Sequence, residues 1–220
     1  MAFIIGLVSQ KGGVGKSTLA RLIAREAAEG GLSVKIADLD TQQQTCTRWA
    51  ARRIEQGIIP EIEVQPVGNV ARVVRDEAPR YDLYIFDGAP QASKQTFEVA
   101  QHCDLIIIPA SESLEDREPA AVLANDLYAK NIPAKRIAFA LCLVGSSAKQ
   151  IEDARHYFAK TPYLLLDGEI PTKDSFKRVL AQGRALTETP YKHLSGQADQ
   201  LAQSIIDAVV AAQKTRKEAS

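Results

Sequence analysis

An α/β fold with a mainly parallel central sheet flanked by helices is what this 220-residue sequence predicts. Three observations carry that expectation. Short apolar runs alternate with longer helix-like segments from end to end. The runs are near-continuous rather than alternating, which suits strands buried on both faces. A glycine-rich turn joins the first apolar run to the first helical segment, and in this architecture ligands bind at the carboxyl ends of strands. A hydrophobic share of 45% supplies an ample core for one domain over residues 1–213, with the polar tail Lys214–Ser220 expected to fray.

The elements follow in order. Phe3–Val8 is an apolar run and reads as the first strand, and the helix-permissive stretch Leu19–Ala24 lies in a helix over 16–29. Val34–Asp38 is the second strand, followed by a helix over 42–56; Ile62–Val67 and a helix over 69–78 come next. Leu83–Asp87 with 91–101, Leu105–Pro109 with 115–130, and Ile137–Val144 with 147–160 repeat the alternation, and Tyr163–Leu166 is the last candidate strand. Segment 194–213 sets Leu201, Ile205, Ile206 and Val209 on one side, the pattern of a helix packed on a sheet. It lacks the basic polar face and aromatic residues of an interfacial membrane anchor.

Composition excludes several function classes. The 27 basic and 27 acidic residues balance, so a nucleic-acid surface would have to be a local patch. Phe3–Val8 is too short for the core of a signal peptide, and no apolar run reaches the roughly 18 residues a membrane span needs, so a cytoplasmic protein is expected. Cys46, Cys103 and Cys142 lie far apart without metal-ligand spacing and read as packing residues.

The chemistry concentrates in Lys11-Gly12-Gly13-Val14-Gly15-Lys16-Ser17-Thr18. The three glycines let successive N–H groups turn inward toward phosphate oxygens, and the helix starting near Lys16 adds its own unsatisfied N–H groups and positive dipole end. Residues 12–18 are therefore the candidate phosphate cradle, with Lys16 on the β- and γ-phosphates and the Ser17 hydroxyl on Mg²⁺. Gln10 stands where the general motif has a glycine, and a lysine has been added at position 11.

Two strands end in aspartate where such a site needs acid. Asp87 closes Asp82–Asp87 and is the candidate support for Mg²⁺. Asp38-Leu39-Asp40 closes the second strand; residues two apart on an extended segment point the same way, so both carboxylates can face the phosphates. Asp40 is the candidate for orienting the attacking water, and Asp38 either supports the metal or caps the following helix.

These residues resemble those of the ParA/MinD family. Residues 11–18 are similar to its deviant Walker A box, Asp38–Gln42 to its Asp-x-Asp-Pro-Gln box with Thr41 in place of proline, and Tyr81–Asp87 to its Walker B strand. Leu105–Pro109 resembles the strand that follows. The resemblance implies a P-loop NTPase that binds ATP with Mg²⁺ and forms a homodimer around two nucleotides. Lys11 would then reach the phosphates held by the other subunit and act with Lys16 and Asp40 in catalysis. The chain begins at the glycine loop without a helix-turn-helix segment, so it looks like a small ParA. That implies nonspecific DNA binding by the ATP-bound dimer, association with the nucleoid in that state, turnover stimulated by a ParB-like partner, and partition or positioning of a cargo.

A basic surface for DNA is expected at Lys173, Lys177, Arg178, Arg184 and Lys192, a stretch with only Asp174 and Glu188 against it. Thr172-Lys173-Asp174-Ser175 lacks the spacing of a guanine-reading element, which favours ATP; the resemblance implies backbone contacts to adenine near the passage that contains Ile170-Pro171, with no residue assigned to them. The rival readings are a MinD-like membrane-associated positioning ATPase and a P-loop small-molecule kinase. An iron–sulfur reductase would need a cysteine within Gly88–Lys94, which holds none.

Overall fold

The computed structural model describes residues 2–90 and 94–218, with side chains through Gln213. Its strands are β1 (Phe3–Leu7), β2 (Val34–Asp38), β3 (Glu63–Pro66), β4 (Leu83–Asp87), β5 (Leu105–Ala110), β6 (Ile137–Val144) and β7 (Leu164–Pro171). They form one sheet in the order β3-β2-β4-β1-β5-β6-β7, with every neighbouring pair parallel. The helices are α1 (Lys16–Glu29), α2 (Thr45–Glu55), α3 (Val70–Asp76), α4 (Lys94–His102), α5 (Leu114–Ala129), α6 (Ala148–Ala159), α7 (Asp174–Ala181) and α8 (Lys192–Glu218). The expected α/β class is the observed one.

Parallel neighbours require crossovers, and the crossovers put helices on both faces of the sheet. One apolar cluster joins alternate strand residues such as Ile5, Leu7, Ile36 and Ile107 to α1, α2, α7 and α8. The other joins Ile4, Phe86, Ile106 and Phe139 to α3 through α6. Residues β1, β2, β4 and β5 are buried along their entire lengths, which is why they read as unbroken apolar runs. Leu194, Leu201 and Ile205 of α8 lie in the first cluster. Detaching α8 would uncover side chains worth about 1.5–3 kcal/mol each, so the expectation of core packing for this segment is met.

Register sets the site. Asp87 pairs with Leu7 on one side and with Asp38 on the other, so three strands end level with one another beside the loop that follows β1.

Several element boundaries differ from expectation. α2 begins at Thr45 rather than 42, because Asp40 Oδ1 accepts from the N–H groups of Gln42 and Gln43 and holds them in a turn. β7 runs on to Pro171: Gly168 at φ 80 and two register shifts against β6 accommodate Asp167 and Glu169, whose charges had hidden the strand. α7 was not anticipated, since it offers only Phe176 and Val179 as buried positions among exposed charges. α8 continues past the expected end at 213 to Glu218. The expected start of α4, residues 91–93, lies outside the described residues.

Candidate nucleotide site

The glycine loop leaves the carboxyl end of β1 and turns into α1. Gly13 and Gly15 adopt φ 77 and 106, a region that L side chains rarely enter. A Cβ on Gly15 would also collide with the Cys142 thiol of β6. The first hydrogen bond of the helix runs from Leu19 N–H to Gly15 O (2.9 Å), so the amides of Lys16, Ser17 and Thr18 have no helical acceptor and remain available to an anion. Lys16 is buried, and its ammonium donates to Lys11 O at 3.1 Å. Burial lowers its pKa, opposed by the nearby Asp87 and Asp40 carboxylates.

A cavity of about 220 Å³ opens over this loop. Gly12, Gly13, Gly15, Lys16, Ser17 and Thr18 line it together with Asp40. Leu143, at the end of β6, and Pro90, after β4, close two of its sides. Below the roughly 300–1,000 Å³ of a typical complete ligand pocket, this space suits a phosphate chain and not an entire nucleotide. Larger grooves of about 710 and 640 Å³ occur elsewhere, lined in part by α8, with none of the loop's residues in them.

The three candidate aspartates take different roles. Asp38 is fully buried and already engaged: Oδ2 accepts from Cys46 N, Thr47 N and Thr47 Oγ1, each at 3.1 Å, and Oδ1 accepts from Asp40 N at 3.2 Å. It ties the first turn of α2 to the end of β2, a capping contact. Asp87 is 2% exposed; Oδ2 accepts from the Cys46 thiol at 3.1 Å, while Oδ1 has no partner. Burial pushes its carboxyl up to about 6, against the Ser17 hydroxyl and Cys46 thiol, which favour the charged form. Asp40 stands at the cavity wall with Oδ1 held by the turn amides.

An orphaned carboxylate oxygen beside a serine hydroxyl fits Mg²⁺. No group of three or more His, Cys, Asp or Glu among the described residues is arranged to hold a metal by itself. Mg²⁺ does not require one, because it is typically held by one or two protein oxygens with phosphate and water supplying the rest. Ser17 and Asp87 would hold it, and the ion would neutralise phosphate charge.

Lys11 lies on the rim, partly exposed, and its ammonium donates to Asp116 Oδ1 at 2.5 Å and to Glu115 O at 3.0 Å. Ser111 Oγ donates to the other Asp116 oxygen at 2.6 Å. Burial acts against the Asp116 charge, yet Lys11 and Ser111 together hold its carboxyl below the usual carboxylate range. The sequence reading named neither the first turn of α5, which holds Lys11 at the rim, nor Arg21, which lines the cavity. A single arginine within the apolar stretch Leu19–Ala24 was the available signal for the latter.

The basic residues are separate from the cradle but begin at the same edge. Thr172, just past β7, donates through Oγ1 to Leu143 O at 2.8 Å, and Lys173 follows it as the N-cap of α7. Lys177 and Arg178 lie on α7, Arg184 in the next loop and Lys192 at the start of α8; all five are exposed. Lys177 pairs with Asp174 at 3.2 Å.

Residues 5–209 match the sequence pattern described as the CobQ/CobB/MinD/ParA nucleotide-binding domain. The chain belongs to that family. Solved structures agree on the fold. The septum site-determining protein MinD from Pyrococcus horikoshii with Mg-ADP is 17% identical, covering 93% of this chain and 96% of its own, with a TM-score of 0.75. An ATP complex of McdA from Cyanothece is 15% identical over 93% and 96% of the two chains, with a TM-score of 0.72. A ParA family ATPase from Chlorobium tepidum is 19% identical over 92% and 99%, with a TM-score of 0.69. No curated protein matches the sequence. The match spans the glycine loop and its cavity.

Proposed function

We propose that this chain is a Mg²⁺-dependent ATPase that dimerises around ATP, binds DNA nonspecifically as that dimer, and drives partition or positioning of a cargo. The observation that carries the reading is the pair of lysines in one glycine loop. Lys16 is buried in the phosphate cavity, whereas Lys11 sits at its rim on the Asp116 carboxylate. A single nucleotide site needs only the first. The second suits a two-fold arrangement in which it leaves Asp116 for the phosphates of the facing protomer, where two nucleotides concentrate negative charge. Asp40 orients the attacking water from the cavity wall, Ser17 and Asp87 hold the metal, and Asp38 keeps α2 seated beside them. The exposed cations Lys173, Lys177, Arg178, Arg184 and Lys192 supply phosphate contacts that do not read sequence. A ParB-like partner stimulates turnover.

The experiment is binding of the Asp40→Ala protein to random-sequence duplex DNA with ATP, with ADP and without nucleotide, at two salt concentrations. ATP-dependent binding that weakens as salt rises is expected. Its absence, with ATP binding itself measured as intact, would move the reading to a membrane-associated or metabolite-directed ATPase. ATP-dependent pelleting with liposomes would then select the former.

A further inference from the structure

We infer that Arg21 is a further nucleotide ligand, contacting the metal-facing side of the phosphate chain; the inference rests on the nucleotide reading above. Arg21 is only 6% exposed, and its Nε donates to Ser17 O at 2.7 Å. Among the described residues its terminal guanidinium nitrogens have no hydrogen-bond acceptor and no carboxylate within ion-pair distance. The residue is largely buried, yet these nitrogens are not among the sealed atoms without a partner, so they open onto the cavity, where an anion would meet the charge. The side chain lines the phosphate cavity together with Ser17, Gln43 and Thr45. Side chains on a helix lean toward its N-terminus, and Ser17 is four residues earlier on the same face, so Arg21 rises along Ser17 toward the Asp87 corner. There its positive charge favours the ionised form of Asp87.

Charge counting points the same way. The buried corner holds Lys16 and Arg21 against Asp38 and Asp87, a balance of zero before any ligand enters. Asp87 is the residue that would hold Mg²⁺, and with its charge engaged there Lys16 and Arg21 would be left as the buried cations available to phosphate oxygens. The flat guanidinium edge, anchored through Nε, leaves two parallel N–H donors suited to two oxygens of one phosphate.

The test uses the full chain with Arg21→Met, which keeps the apolar stem, and Arg21→Lys, which keeps the charge. ADP and ATP binding is measured by calorimetry with magnesium, alongside melting curves without nucleotide. The expected result is an Arg21→Met protein that melts close to wild type and binds both nucleotides about 10- to 100-fold more weakly, with Arg21→Lys, which keeps the charge but not the paired donors, recovering only part of the loss. Arg21→Met binding within about twofold of wild type would overturn the assignment. So would a large drop in melting temperature with Arg21→Lys restoring the fold but not the affinity, which would make Arg21 a packing residue of α1. Should the wild-type protein bind neither nucleotide, the nucleotide reading fails at its base and this inference falls with it.

Discussion

Two of the corners where charge is buried treat it in opposite ways. Between α2 and the loop after α7, Arg53 is fully buried and every one of its nitrogens is engaged: Nη1 and Nη2 donate to the two Glu188 oxygens at 2.7 and 3.0 Å, Nε to Pro60 O at 2.7 Å and Nη1 to Gly183 O at 3.1 Å. Glu188 also accepts from Ala185 N at 2.6 Å. At the phosphate corner, Asp87 Oδ1 lacks a partner and Arg21 keeps donors in reserve. Satisfied buried charge holds elements in register, whereas unsatisfied buried charge marks where something from outside completes the set.

The largest effect that bears on this contrast belongs to Arg53→Ala. Removing one partner strands Glu188 and opens the Gly183 loop, so urea unfolding is expected to show a loss of about 3–5 kcal/mol. A loss below about 1 kcal/mol would mean the pair is less desolvated than its geometry implies.

Asp87→Asn should do the reverse. A carboxyl whose folded pKa lies above its unfolded value weakens the fold once the pH passes the folded value, here about 6, and does so hardly at all below about 4. At pH 7.5 without metal, the variant is expected to gain on the order of 1–3 kcal/mol, a difference that closes in acid. Its magnesium-dependent ATP affinity should fall by at least about tenfold. A destabilised variant in metal-free buffer would show that the two corners are alike after all.

The smallest stability change is expected from replacing Lys177 and Arg178 together with alanine. Both are exposed, and the Lys177–Asp174 pair is a surface ion pair, so unfolding should shift by no more than about 0.5 kcal/mol. DNA binding should weaken while dimerisation is spared. Unchanged affinity in a filter-binding titration would remove these two residues from the interface.

The division of what was legible follows from the same physics. Strands buried on both faces announce themselves as apolar runs, and the loop Lys11–Thr18 has a spacing that little besides phosphate binding explains. Asp87 could be picked out because it ends such a run. Asp38 was harder, since metal support and capping both call for an acid at that position, and the contacts to Cys46 and Thr47 became visible only in the fold. Arg53–Glu188 and Lys11–Asp116 join residues more than 100 positions apart, and no local pattern encodes such a meeting. α7 was hard to read because its apolar positions, Phe176, Val179, Leu180 and Ala181, span barely two turns, too short a window to establish a helical period.

The place of β1 in the sheet has a consequence for how the protein is made. This first strand is hydrogen-bonded to β4 and β5 and to no strand between them in sequence, so its pairing waits for residues 83 and beyond. As the chain leaves the ribosome, Gly12–Thr18 emerges early but has neither Asp87 nor the Cys142 wall beside it until most of the polypeptide has followed. A ligand that needs all three walls of this cavity can therefore bind only once β6 has joined the sheet, and it would stabilise the assembled domain without templating β1.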